Sequence, residues 1–155
     1  MRRWIIYALS FAVVTVLGVT PFAGTDVGKL LPVETVRLSW AMEKVWLETD
    51  AGNVGVGRTV EDALTDLKET TAGALFLDTA DYLLVKPGSE WLVEEICGYL
   101  RPSCGICLER GEAKLEEAAV FLAVHKPRLT LGKWRGGERN LPQLETEGGR
   151  MRLVQ

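Results

Sequence analysis

The chain has 155 residues, 47% of them hydrophobic and 25% charged, a balance that suits one ordinary globular domain and gives intrinsic disorder no compositional basis. Setting aside Arg2 and Arg3 leaves 16 basic against 21 acidic residues, a net charge of −5. An acidic body lacks the basic face that phosphate contact requires, which argues against nucleic-acid binding.

At the amino terminus, Arg2 and Arg3 precede the run 4–22, which carries no charge. Nineteen such residues, at about 1.5 Å each, approach the roughly 30 Å of a bilayer's hydrocarbon core, so an N-terminal hydrophobic helix of spanning length is expected. The arginines in front of it place the body outside the cytoplasm. Cleavage after Ala23 or Gly24 would set Pro21 or Phe22 where a small residue is needed, so residues 1–24 read as a retained anchor, with a cleaved signal and a secreted protein as the alternative. No cysteine lies near residue 24, which excludes lipid attachment there.

Residues 25–133 read as one mixed α/β domain. Alternating and β-branched residues over 33–40 and 44–49 predict a hairpin, and 54–56 a third strand after the Asp50-Ala51-Gly52-Asn53 turn. Thr59 can cap a helix that Gly73 stops. Glu61 and Asp62 complement its dipole, and Val60, Ala63, Leu64 and Leu67 form one apolar stripe. Segments 74–77 and 82–85 are apolar enough to be buried strands, separated by Asp78, Thr79 and Asp81. Ser89 is the expected cap of a second helix carrying Leu92, Ile96, Tyr99 and Leu100 on one face, which Pro102 ends. A short strand over 104–108, a third helix over 112–124 and a strand over 128–131 follow. Residues 134–155 read as a Gly- and Arg-rich linker, then a hairpin of 141–147 and 150–154 around Gly148-Gly149. The alternation predicts a mixed β-sheet with about three packed helices, α/β or α+β.

Cys97, Cys104 and Cys107 are the residues with most chemical potential, because Cys-Gly-Ile-Cys has the spacing of a redox dithiol or half a zinc site. A dithiol is activated at a helix amino end, whereas Cys104 leads into a strand. A zinc site needs four ligands, and His125 is the one histidine. Buried free thiols and a disulfide are the plainer readings. Asp78 and Asp81 suit a turn better than a cation site, and Gly52 to Gly57 has neither dinucleotide nor P-loop spacing. No residue is assigned to catalysis, a cofactor or a metal, and the chain reads as non-enzymatic. Trp46 and Trp91 fall where core burial is expected, while Trp40 and Trp134 are the candidates for exposure and for binding a partner.

The order Gly57-Arg58-Thr59-Val60-Glu61-Asp62-Ala63-Leu64-Thr65-Asp66-Leu67, apolar strands to Val85, a helix from Trp91 to Leu100, then Arg101-Pro102, resembles the N-terminal domain of the C-subunit family of spore germinant receptors. Asn140-Leu141-Pro142 and the closing Gly-Gly hairpin look like the opening of that family's next domain. The sequence departs from the family in lacking a lipobox cysteine and in carrying Asp78-Thr79-Ala80 where the family has a histidine. The resemblance implies an extracytoplasmic α/β scaffold or partner-binding subunit without catalysis; the uncharged run 4–22 adds the expectation of attachment to a membrane, with a membrane protein as partner. The rival expectations are a small exported thiol protein using Cys104 and Cys107, and a secreted module that binds a polymer through exposed tryptophans.

Overall fold

A computed structural model describes residues 30–155, so the hydrophobic helix expected over 4–22 lies outside the described residues. Strand β1 (Leu30–Pro32) leads into β2 (Thr35–Ala41), where Val36 and Leu38 alternate with Arg37 and Ser39. In β3 (Lys44–Thr49), Val45 and Leu47 alternate with Trp46 and Glu48. Because successive side chains point to opposite faces, the antiparallel pairing of Leu38 with Leu47 and of Arg37 with Glu48 makes one face apolar and the other charged. The predicted hairpin forms, and β4 (Val54–Gly57) pairs with β3 as the edge strand.

The chain then builds α1 (Val60–Thr70). The Thr59 side chain accepts the Asp62 N–H at 3.1 Å, and Val60, Ala63, Leu64 and Leu67 are buried, as the capping and spacing predict. Helix and strand approach closely because Gly55 and Gly57 lack a Cβ: one added at Gly55 would strike the Ala63 carbonyl oxygen and Leu67, and one at Gly57 would strike Asp62 and Ala63.

Strand β5 (Ala74–Phe76) is not the buried strand expected over 74–77: it stays out of the main sheet, pairs parallel with β1 and leaves Phe76 exposed. A single helical turn, Leu77–Thr79, follows. The Thr79 hydroxyl accepts the Val33 N–H at 3.1 Å and reaches the carbonyl oxygens of Val33 and Phe76 at 3.0 and 2.6 Å, so this polar break joins β1, β2 and β5. Strand β6 (Tyr82–Val85), buried throughout, runs parallel to β2.

The second helix is shorter than the sequence suggests. Ser89 does not cap it, because its hydroxyl accepts the Trp40 N–H at 2.8 Å. A 3-10 turn, Glu90–Leu92, precedes α2 (Val93–Ile96), which buries Val93 and Ile96 while Tyr99 turns outward.

Strand β7 (Gly105–Arg110) runs parallel to β6. Gly111 turns the chain at φ 93°, and the Glu109 carboxylate accepts the Ala113 N–H at 3.0 Å. Helix α3 (Leu115–Val124) therefore begins later than residue 112. The strand expected over 128–131 reduces to one bridge between Gly105 and Thr130. The Thr130 hydroxyl instead caps α4 (Leu131–Arg135), which buries Leu131 and Trp134, so residue 134 belongs to a packed helix and not to a linker. The predicted C-terminal hairpin forms from β8 (Gln143–Glu147) and β9 (Arg150–Val154). Its first strand lies parallel to β7 and extends the main sheet.

The seven-stranded order is β4-β3-β2-β6-β7-β8-β9, a mixed sheet with helices on both faces. The larger core lies under α1, α2 and α4. A smaller one joins Leu84, Cys107 and Leu144 to Leu115, Ala118 and Leu122 of α3. Strands β2, β6, β7 and β8 all point the same way, which gives the molecule an amino pole, where β1 and β5 also lie, and a carboxyl pole.

Candidate functional site

At the carboxyl pole Trp40 shares the phase of Val36 and Leu38 in β2 but, near the strand's end, is exposed where they are buried. The bond from the Trp40 N–H to the buried Ser89 hydroxyl ties this strand end to the loop after β6. That tie sets Trp91 against Trp40 edge to face, with ring centroids 5.3 Å apart and planes at 70°. Trp40 is 38% and Trp91 54% exposed. Edge-to-face pairs of this kind add roughly 1 kcal/mol beyond their burial, so each ring holds the other in place while both keep open surface. Trp91, expected in the core, is thus on the surface because the 3-10 turn rotates it outward. Trp46 is partly buried on the charged face, its Nε1–H donating to the Ala41 carbonyl at 3.2 Å.

Trp134 corrects a second expectation. It is 7% exposed, its Nε1–H donates to Glu94 at 3.1 Å, and the Arg139 guanidinium stacks 4.3 Å from its ring centroid. It anchors α4 in the larger core and offers a partner nothing.

A charged cluster that the sequence did not signal lies on the opposite face, at the edge of the smaller core. Glu109 is 1% exposed, and Arg37 grips its carboxylate with Nε at 2.7 Å and Nη2 at 2.8 Å. Lys86 Nζ stands 3.5 Å away. The remaining arm of Arg37 donates to Glu48 at 2.7 Å, and its Nη2 also donates to the Ala113 carbonyl. Burial works against the charge of Arg37, but hydrogen bonding and attraction from Glu109, then Glu48, raise its pKa. With its acceptors occupied, Glu109 has the position of a structural clamp joining β2, β7 and the start of α3.

The three cysteines are free and buried. Cys104 packs in the larger core and Cys107 in the smaller one, so the sheet separates the thiols of the Cys-Gly-Ile-Cys segment and they do not form the dithiol that spacing suggests. Burial pushes Cys104 up to about 12, with Arg101 only partly opposing it. Burial raises Cys107 as well, and raises Cys97 despite the nearby Arg135. Thiols held protonated in this way are poor nucleophiles and poor metal ligands.

The other candidates are likewise dispersed. Asp81 pairs with Arg101 while Asp78 is exposed beside Phe76. His125 stacks on Phe121 with centroids 4.5 Å apart. Among the described residues no group of three or more His, Cys, Asp or Glu side chains could hold a metal ion, and no helix is long and apolar enough to cross a membrane. Set beside protein-family models, curated proteins and solved structures, the chain has no significant match in any of the three comparisons.

Proposed function

We propose that the chain is a non-enzymatic extracytoplasmic domain, held at a membrane by residues 4–22, that acts as a scaffold or partner-binding subunit of the kind the germinant-receptor C subunits represent. The observation that carries this reading is the Trp40–Trp91 pair, two large side chains locked against each other yet exposed at the carboxyl pole. Buried tryptophan anchors dominate the energy of protein interfaces, and a pair already fixed in geometry loses little rotamer freedom on binding. The partner in this reading is a membrane protein of the sporulating cell.

Co-purification tests it. The full chain is expected to retain a membrane protein from sporulating cells and not from vegetative cells, and Trp40→Ala with Trp91→Ala is expected to weaken that retention about 30-fold, the effect of losing roughly 2 kcal/mol at an interface anchor. Equal retention by the double variant would remove the tryptophan pair from the account. Binding to isolated cell wall, abolished by the same variants, would instead support a polymer-binding module.

A further inference from the structure

We infer that the amino pole of the sheet rests on the outer surface of the bilayer, with the β1–β5 ribbon and Tyr99 in the headgroup layer. This inference takes from the proposed function the reading of residues 4–22 as a retained anchor.

The ribbon is a poor candidate for a surface left in water. Leu31, Phe76 and Tyr99 are 36%, 44% and 40% exposed, and Pro32, the register partner of Phe76, is exposed beside it. Phe76 and Tyr99 line one shallow cleft of about 150 Å³, together with Lys68 and Asp78. A ribbon of two three-residue strands has little hydrogen bonding of its own, yet the Thr79 hydroxyl clamps it to the start of β2; Leu75, the register partner of Leu31, packs on the larger core, so the face that carries Pro32 and Phe76 is held outward.

The tether indicates what covers it. Residues 23–29 separate the uncharged run from β1, and seven residues reach at most about 25 Å when fully extended. With the run in the membrane, β1 cannot leave the neighbourhood of the bilayer surface, and the rest of the amino pole comes with it. Tyr99 has the apolar body and polar tip that favour the headgroup layer, and Lys68 can lay its stem along apolar surface while its ammonium meets lipid phosphate. The same orientation points Trp40 and Trp91, at the opposite pole, away from the lipid and toward a partner.

The test uses the full chain reconstituted in vesicles of phosphatidylethanolamine and phosphatidylglycerol. An environment-sensitive fluorophore is attached at Phe76→Cys or, separately, at Met42→Cys on the opposite pole; the three native thiols are buried. Quenching by spin-labelled lipid is expected to be at least about threefold stronger at position 76 than at position 42, the contrast between a site in the interface and one in water. A label at Tyr99→Cys should behave like that at position 76. Equal, weak quenching at positions 76 and 42 in chains that stay with the vesicles after alkaline washing overturns the docking and leaves the anchor intact. Chains stripped by the wash overturn the anchor reading and the docking together. A label at position 76 that is shielded from water but insensitive to lipid quencher, and becomes exposed on dilution of the protein in the bilayer, identifies a second copy as the occupant and also overturns the inference.

Discussion

The carboxylate of Glu109 sits beneath the start of α3 with almost no exposed surface, and Arg37 grips both its oxygens. Removing one partner of a buried ion pair strands the other, at a cost of about 3–5 kcal/mol, whereas replacing both with apolar groups of similar size is close to neutral. Glu109→Gln is therefore expected to lower stability by that amount in denaturant titrations, and Arg37→Met combined with Glu109→Leu to recover most of it. Nothing local announces this pair. Arg37 occupies the phase of β2 that reads as solvent-facing, and its partner lies 72 positions away. The cysteines show the opposite relation: their spacing signals chemistry that burial on two faces of a sheet removes. Because burial raises Cys104 from 9.0 to about 12, the folded state disfavours its thiolate. Its stabilising contribution is thus intact below pH 9 and is lost as pH rises toward 12. Stability should fall over that window, and less steeply in Cys104→Ala. At pH 8, iodoacetamide should modify the native thiols only after denaturant is added; rapid alkylation of Cys104 and Cys107 in the folded protein would restore the redox reading.

At the scale of elements, local sequence pattern accounts for one helix and two hairpins. Helix α1 has its cap, its acidic first turn and its apolar stripe in the sequence, and all three act as expected. The β2–β3 and β8–β9 hairpins also follow from local pattern. The failures are segments whose hydrogen bonds were claimed from a distance. Ser89 is engaged by Trp40, Ala113 by Glu109, and β5 by β1, and no periodicity within a segment reports such partners. The β2–β3 turn carries a residual conflict. Met42 and Glu43 both have positive φ, 52° and 60°, a conformation that Asn and Gly adopt far more readily. Replacing them with Asn-Gly should raise stability by about 1 kcal/mol, seen as a higher unfolding midpoint. Gly57→Ala should lower it by about 1–3 kcal/mol, because the new methyl meets backbone of α1 rather than a movable side chain.

For the whole molecule, alternating strands and helices sufficed to predict a mixed sheet with packed helices, and that is the architecture observed. The location of the proposed binding surface is only half legible in the sequence. Trp40 stands out in the sequence and is exposed, but its neighbour in space is Trp91, placed there by a 3-10 turn, and not Trp134, which serves the core. The reading as a membrane-held, partner-binding domain joins that tryptophan pair to the uncharged run 4–22 and to the resemblance to germinant-receptor C subunits. Its central claim is that the body lies outside the cytoplasm on a retained anchor, and it is tested most directly by labelling Met42→Cys, at the tip of the β2–β3 hairpin and 89% exposed in the native residue, in intact cells with a membrane-impermeant maleimide, then washing the membranes at alkaline pH. The account predicts labelling before lysis and a labelled chain that stays with the membrane. Labelling that occurs only after lysis, or a labelled chain released by the wash, would contradict it.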